Sequence, residues 1–297
     1  MNHRHLAAPI PAIVGALMAG SGAAAVGAAA PTWQTTSRER NFAGDRSTYG
    51  IAAVSLHAEL HGASRPEPQS TSNKPQATNQ TPQIPPKPAA HEARTMEGWT
   101  VHVDRRLLGG PDRALGDRAL RILAMRLFAI TLVVPADKVK WLQTVPIWLD
   151  RTHGALKSMQ YHPSVEWLRQ NGYDSRLARC VHIPDAAYFA SFEIQFQQPW
   201  AVLHELAHAY HDQVLGFDNA EVLAAWRKFV ASGKYASVPH MNGRMRPHYG
   251  LTDQKEFFAE MTETYFGMND FYPFNRAELQ REEPELTALL HRLWGDP

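Results

Sequence analysis

The segment "HELAH" places two imidazoles and a carboxylate at a spacing that suits hydrolytic chemistry. On a helix, His204 and His208 lie about 40° apart and one turn along the axis, so both rings can reach one metal ion. Glu205 then lies beside that ion. Zinc lowers the pKa of a bound water toward ~7, and a neighbouring carboxylate can take the proton. The pentad therefore predicts two metal ligands and a general base.

The residues around this pentad favour a buried helix. The range 199–215 is broadly apolar, with Val202 and Leu206 among its members. Buried polar groups are costly unless they are bound, and a metal ion removes that cost. The alternative is a surface helix that carries a stripe of histidines. His211 lies too far from His204 to share one ion, and we expect it to line the pocket or to support a ligand.

A catalytic zinc needs a third protein ligand, and no H-E-x-x-H-x-x-G-x-x-H motif supplies one. The candidate segment is 248–267, "HYGLTDQKEFFAEMTETYFG", where Glu256 and Glu260 are one helical turn apart. One acid can bind the metal while the other accepts a hydrogen bond from a ligand histidine. The alternative is a pair of solvated acids, but the intervening Phe257 and Phe258 favour burial.

The two segments together resemble the catalytic centre of anthrax lethal factor-type peptidases, which are gluzincin zinc metallopeptidases of the zincin group typified by thermolysin. In that pattern a tyrosine precedes the ligand glutamate by seven positions, as Tyr249 precedes Glu256 here. The resemblance implies three ligands for Zn²⁺: His204, His208 and Glu256. It also implies that Glu205 activates the water, that Tyr249 steadies the oxyanion and that Glu260 supports a zinc histidine. It covers only His204 to Glu260, so it implies no particular substrate.

Composition narrows the remaining functional classes. The 297 residues are 44% hydrophobic, which is enough for a core, and one cysteine, Cys180, excludes an internal disulfide. With 30 basic and 29 acidic side chains the net charge is +1, so no nucleic-acid surface is indicated. The expected partner is a peptide or protein substrate.

The chain divides into three predicted regions. Residues 1–30 are Ala/Gly-rich after a basic start, typical of a signal peptide or an uncleaved anchor, so we expect a secreted, periplasmic or cell-surface protein. Membrane contact is expected only through that anchor. Residues 31–95 form a predicted disordered linker rich in Pro, Ser, Thr and Gln. Residues 96–297 form the predicted zincin-like metallopeptidase domain.

Hydrophobic periodicity in this domain predicts strands first and helices afterwards, hence an α+β fold with a small mixed sheet packed on helices and a helical C-terminal half. Predicted strands lie at 99–104, 145–150, 159–163 and 178–183. Predicted helices lie at 113–129, 199–215, 220–231, 253–266 and 284–294. The segment 178–191 is the candidate for the sheet-edge strand that aligns a substrate, or for its flank.

These expectations define a function and two alternatives. The first is zinc-dependent hydrolysis of peptide bonds in protein or peptide substrates. The second keeps zinc but cleaves an amide of cell-wall peptides. The third is a catalytically silent, zinc-stabilised binding module. The presence of Glu205 and Tyr249 argues against it, because zinc binding alone requires neither residue.

Overall fold

The computed structural model describes residues 84–297. The predicted signal segment, 1–30, and most of the predicted linker lie outside the described residues. Among the helices of 84–297, none is both long enough and apolar enough to cross a bilayer.

The described part of the chain contains seven strands and ten α-helices, with a helical C-terminal half as predicted. The strands are β1 (His91–Met96), β2 (Trp99–Asp104), β3 (Ile147–Leu149), β4 (Gln160–Tyr161), β5 (Val181–Ile183), β6 (Val238–Pro239) and β7 (Met245–Arg246). The helices are α1 (Arg113–Val133), α2 (Ala136–Leu142), α3 (Val165–Gln170), α4 (Ala186–Phe189), α5 (Phe192–Gln197), α6 (Ala201–Tyr210), α7 (Ala220–Ala231), α8 (Gln254–Phe266), α9 (Arg276–Glu282) and α10 (Pro284–Trp294).

Five strands form one mixed sheet in the order β1-β2-β3-β5-β4. The central strands β2, β3 and β5 are parallel, while β1 and β4 run antiparallel at the two edges. Buried parallel strands read as apolar runs, and β3 has all three of its residues buried. The strands β6 and β7 form a separate small hairpin. This architecture confirms the α+β class with a small mixed sheet.

The folded region begins before the predicted boundary at residue 96. All of strand β1 except Met96 lies inside the predicted linker, and the strand pairs along its whole length with β2. Glu97 and Gly98 join the two strands with positive φ values of 49° and 88°, the geometry of a tight hairpin turn. The strand was missed because its side chains are mostly exposed and polar, so it carries no apolar alternation.

The sheet edge nearest the candidate site is β4, and β5 is the strand beside it. The segment 178–191 therefore flanks the edge strand, and the short "QY" strand occupies the edge itself. Helix α6 packs against β4 and β5 on one side and against α8 on the other. These contacts bring the edge strand and both candidate metal-binding helices together.

Candidate metal centre

Helix α6 supplies the two histidines from its more polar side. Val202, Leu203 and Leu206 are almost completely buried and anchor the helix in the core. His204 and His208 lie one turn apart, with ring centroids 4.8 Å from each other in an edge-to-face arrangement. Their side chains are 12% and 11% exposed, so both rings are mostly buried but still accessible to solvent.

Helix α8 brings a carboxylate to the same point. The Asp253 side chain caps this helix by accepting hydrogen bonds from the backbone N–H groups of Lys255 and Glu256 at 2.8 and 3.0 Å. The cap fixes the first turn, where Glu256 lies. The Oε2 atom of Glu256 is 3.1 Å from Nε2 of His204 and 3.4 Å from Nε2 of His208. These three residues form a group that could hold a metal ion.

Glu263 forms a hydrogen bond with Nδ1 of His204, the ring nitrogen that does not face Glu256. Nδ1 of His204 is 2.7 Å from Oε1 of Glu263, whereas Oε1 of Glu260 is 3.7 Å away, beyond hydrogen-bond length. Asn269 instead donates to Glu260 at 3.0 Å. The supporting role predicted for Glu260 is therefore taken in this geometry by Glu263, which sequence reasoning missed although it lies on the same helix face, seven residues after Glu256.

The candidate site contains more carboxyl groups than histidines. Burial, together with the charges of Glu263 and Asp270, raises the pKa of Glu260 well above its usual value. Burial also raises the pKa of Glu263 to about 7. Burial opposes ionisation of Glu256 too, but hydrogen bonds with His204 and His208 hold its pKa well below the usual range. Such an excess of buried acids is relieved by a bound cation.

Glu205 is fixed by the edge strand. Its Oε2 accepts a hydrogen bond of 2.7 Å from the backbone N–H of Tyr161 in β4, and the side chain lines a cavity of ≈ 820 Å³. His204, His208 and Glu256 line the same cavity, as do residues of β4. The candidate base, the candidate ligands and the edge strand thus share one space.

Tyr249 also lines this cavity, on the short turn before α8, and is 48% exposed. Burial of its ring, with the charge of Glu256, raises its pKa, so the phenol is a neutral donor. His211 is fully buried against Phe217 and Phe258 and is not among the residues that line the cavity. The structure thus brings together His204, His208, Glu205, Glu256 and Tyr249, and leaves His211 in the core.

Helix α6 ends at Tyr210 and continues as one wider, π-helical turn over residues 211–215. Such turns frequently occur at functional sites. The predicted helix 199–215 therefore exists, but its last turn has a different winding.

Comparison with protein-family models, curated proteins and solved structures gives no match to this chain.

Proposed function

We propose that the protein is a zinc-dependent peptidase of the gluzincin type, with a zincin-like catalytic domain that acts outside the cytoplasm. The observation that carries the proposal is the distance from the Glu256 carboxylate to a ring nitrogen of each candidate ligand histidine. Tetrahedral zinc with bonds of 2.0–2.1 Å separates neighbouring ligand atoms by about 3.3 Å. The distances of 3.1 and 3.4 Å from Glu256 to His204 and His208 agree with that separation.

The donor set also suits zinc chemically. Two imidazoles and one carboxylate match the His₂Glu set of catalytic zinc sites, which keep a fourth position open. Glu263 would orient the His204 ring through its Nδ1 atom. The cavity borders the site, so substrate can reach the open position.

The remaining residues divide the chemistry of peptide hydrolysis. A bound zinc ion would supply a Lewis acid and lower the pKa of a water molecule. Glu205 takes the proton from the attacking water and returns it to the leaving amine. The bond from Tyr161 fixes one carboxylate oxygen of Glu205, leaving the other to act as the base. Tyr249 donates to the oxygen on which negative charge develops.

The edge strand suits an extended peptide substrate. A peptide beside β4 would use main-chain hydrogen bonds other than the Tyr161 N–H, which already donates to Glu205, and such bonds tolerate many sequences. The cavity wall beyond β4 contains Trp167, Tyr188 and Phe189, which offer apolar contact to substrate side chains. This surface favours peptide bonds in unfolded or flexible segments.

The proposal is tested by Glu205→Gln. The amide still accepts the hydrogen bond from Tyr161 but cannot act as a base, so cleavage should fall by about 10²–10⁴-fold while zinc content is unchanged. The measurement is cleavage of an unfolded protein, with peptidoglycan as a second substrate and Glu193→Gln, an acid on the exposed face of α5, as the control. Cleavage of the unfolded protein by Glu205→Gln at the wild-type rate contradicts the assigned base.

A further inference from the structure

A second polar cluster lies in the sheet, apart from the candidate metal centre. The carboxylate of Asp150, directly after β3, is completely buried and contacts three imidazoles. Its Oδ1 is 2.6 Å from Nε2 of His91, and its Oδ2 is 2.7 Å from Nδ1 of His153 and 2.8 Å from Nε2 of His182. His182 in turn lies 3.2 Å from His162, between Nδ1 and Nε2 respectively.

The distances in this cluster are those of hydrogen bonds. Asp150, His153 and His182 are close enough together to be considered as metal ligands. However, contacts of 2.6–2.8 Å are well below the separation of about 3.3 Å between ligands of tetrahedral zinc, which the pair distances at Glu256 do match. Asp150 therefore acts as a hydrogen-bond acceptor for all three rings.

Because Asp150 accepts a hydrogen bond from His182, it fixes the tautomers of His182 and His162, which form a hydrogen-bonded series toward the cavity. Since a carboxylate only accepts, His182 must donate from Nε2, and a neutral ring then has a lone pair at Nδ1. His162 must donate to that lone pair from its own Nε2. Burial lowers the pKa of His162 to about 3, so this ring is neutral too. Its Nδ1 atom is therefore an acceptor.

His162 belongs to the wall of the proposed substrate cavity. It directly follows β4, is 3% exposed, is among the residues that line the cavity, and stacks near Trp167, with ring centroids 6.1 Å apart. Its backbone N–H and C=O are both used by the neighbouring segment, at Cys180 and Arg179, so the residue is held firmly in place. Within residues 84–297, no hydrogen bond engages its Nδ1 atom.

We propose that Asp150, acting through His182, fixes His162 as a hydrogen-bond acceptor in the cavity wall, and that this acceptor selects peptides with a side-chain amide over those with a carboxylate. The selection rests on the proposed peptidase function, because it requires a peptide to lie along β4. Glutamine offers an N–H donor to Nδ1, whereas glutamate of nearly the same shape offers only acceptors. Asp150 and His182 are positioning residues and do not touch the substrate.

The selectivity is tested with peptides that differ only by Gln or Glu at each position beside the cleaved bond. At one position, wild type should prefer Gln by at least about tenfold in kcat/KM. His182→Leu removes both the donor to Asp150 and the acceptor for His162, so the preference should collapse. His153→Asn keeps its donor to Asp150 and lies outside the hydrogen-bonded path to His162, so the preference should persist. An equal preference in wild type and His182→Leu overturns the selection.

The fixed tautomer is tested without any cleavage. Nitrogen-15 NMR of the intact protein should show His162 with its proton on Nε2 and an unprotonated Nδ1, and this pattern should change in His182→Leu, which offers no acceptor. A proton on Nδ1 in wild type overturns the proposal, as does a second equivalent of zinc in the purified protein. Failure of the wild type to cleave any peptide instead refutes the peptidase function and the selectivity, while the NMR result still decides the tautomer.

Discussion

At the scale of single residues, the candidate ligands and the candidate base could be named from the sequence because their spacing suggests the chemistry. His208 follows His204 by four positions with Glu205 between them, and Tyr249 precedes Glu256 by the expected seven positions. The partner of His204 was not accessible in the same way. Three acids share one face of α8, and the packing of that helix on α6, which the sequence does not show, brings Glu263 and not Glu260 to Nδ1.

This assignment predicts different effects for two neighbouring acids. Glu263→Ala should weaken zinc affinity by about 10–100-fold, because it removes the hydrogen bond that orients a ligand ring. Glu260→Ala removes an equally buried carboxylate from the same helix face and should change affinity far less. Competition with a chromophoric chelator measures both variants. A larger loss in Glu260→Ala than in Glu263→Ala would reverse the two roles.

At the scale of elements, the predicted helices agree closely with the structure, because their apolar periodicity is a local property. Helices α7 and α10 have the predicted bounds. Strand order depends on pairing between distant segments, which periodicity does not encode, so β4 was not identified as the edge. Contacts between elements were likewise beyond prediction. Gly267, at the end of α8, packs directly against the Trp200 ring, at the start of α6.

The contact of Gly267 with Trp200 predicts a sensitive position between the two candidate metal-binding helices. In Gly267→Ala the new methyl group overlaps the indole ring, so the helices must shift. We expect a loss of about 1–3 kcal/mol in the free energy of unfolding and weaker zinc binding. Gly109→Ala is the control, since Gly109 has a negative φ, as Gly267 does, but has no neighbouring atom within 4 Å of the added carbon. Equal stability of the two variants in denaturant titrations would contradict this account.

At the scale of the whole molecule, burial of neutral histidines couples folding to pH. Burial lowers the pKa of His248 to about 3 and that of His211 to about 4, and His162 is also about 3. In the unfolded chain each group has a pKa near ~6.5. Between these values the unfolded chain binds more protons than the folded protein, so stability is lost as the pH falls below about 6.5.

Each of these histidines should contribute about 1.4 kcal/mol per pH unit to the slope of unfolding free energy between about pH 6 and pH 5. His248→Asn isolates one contribution, because the amide oxygen can replace Nδ1 as the acceptor for the Gly250 N–H, now 3.0 Å away. The slope for this variant should be lower than that of wild type by about 1.4 kcal/mol per pH unit. Loss of metal at low pH affects both proteins and cancels in the difference. Parallel curves for the two proteins would show that His248 is not buried in its neutral form.

The central claim is that one zinc ion is held jointly by α6 and α8, and metal content measures it most directly. After dialysis, wild type and Glu260→Ala should each retain one zinc per chain, whereas Glu256→Ala should retain almost none, because it lacks the ligand from α8. Elemental analysis of the three proteins, with circular dichroism to verify folding, gives the answer. A folded Glu256→Ala with wild-type zinc content, or a wild type that binds none, would contradict the account.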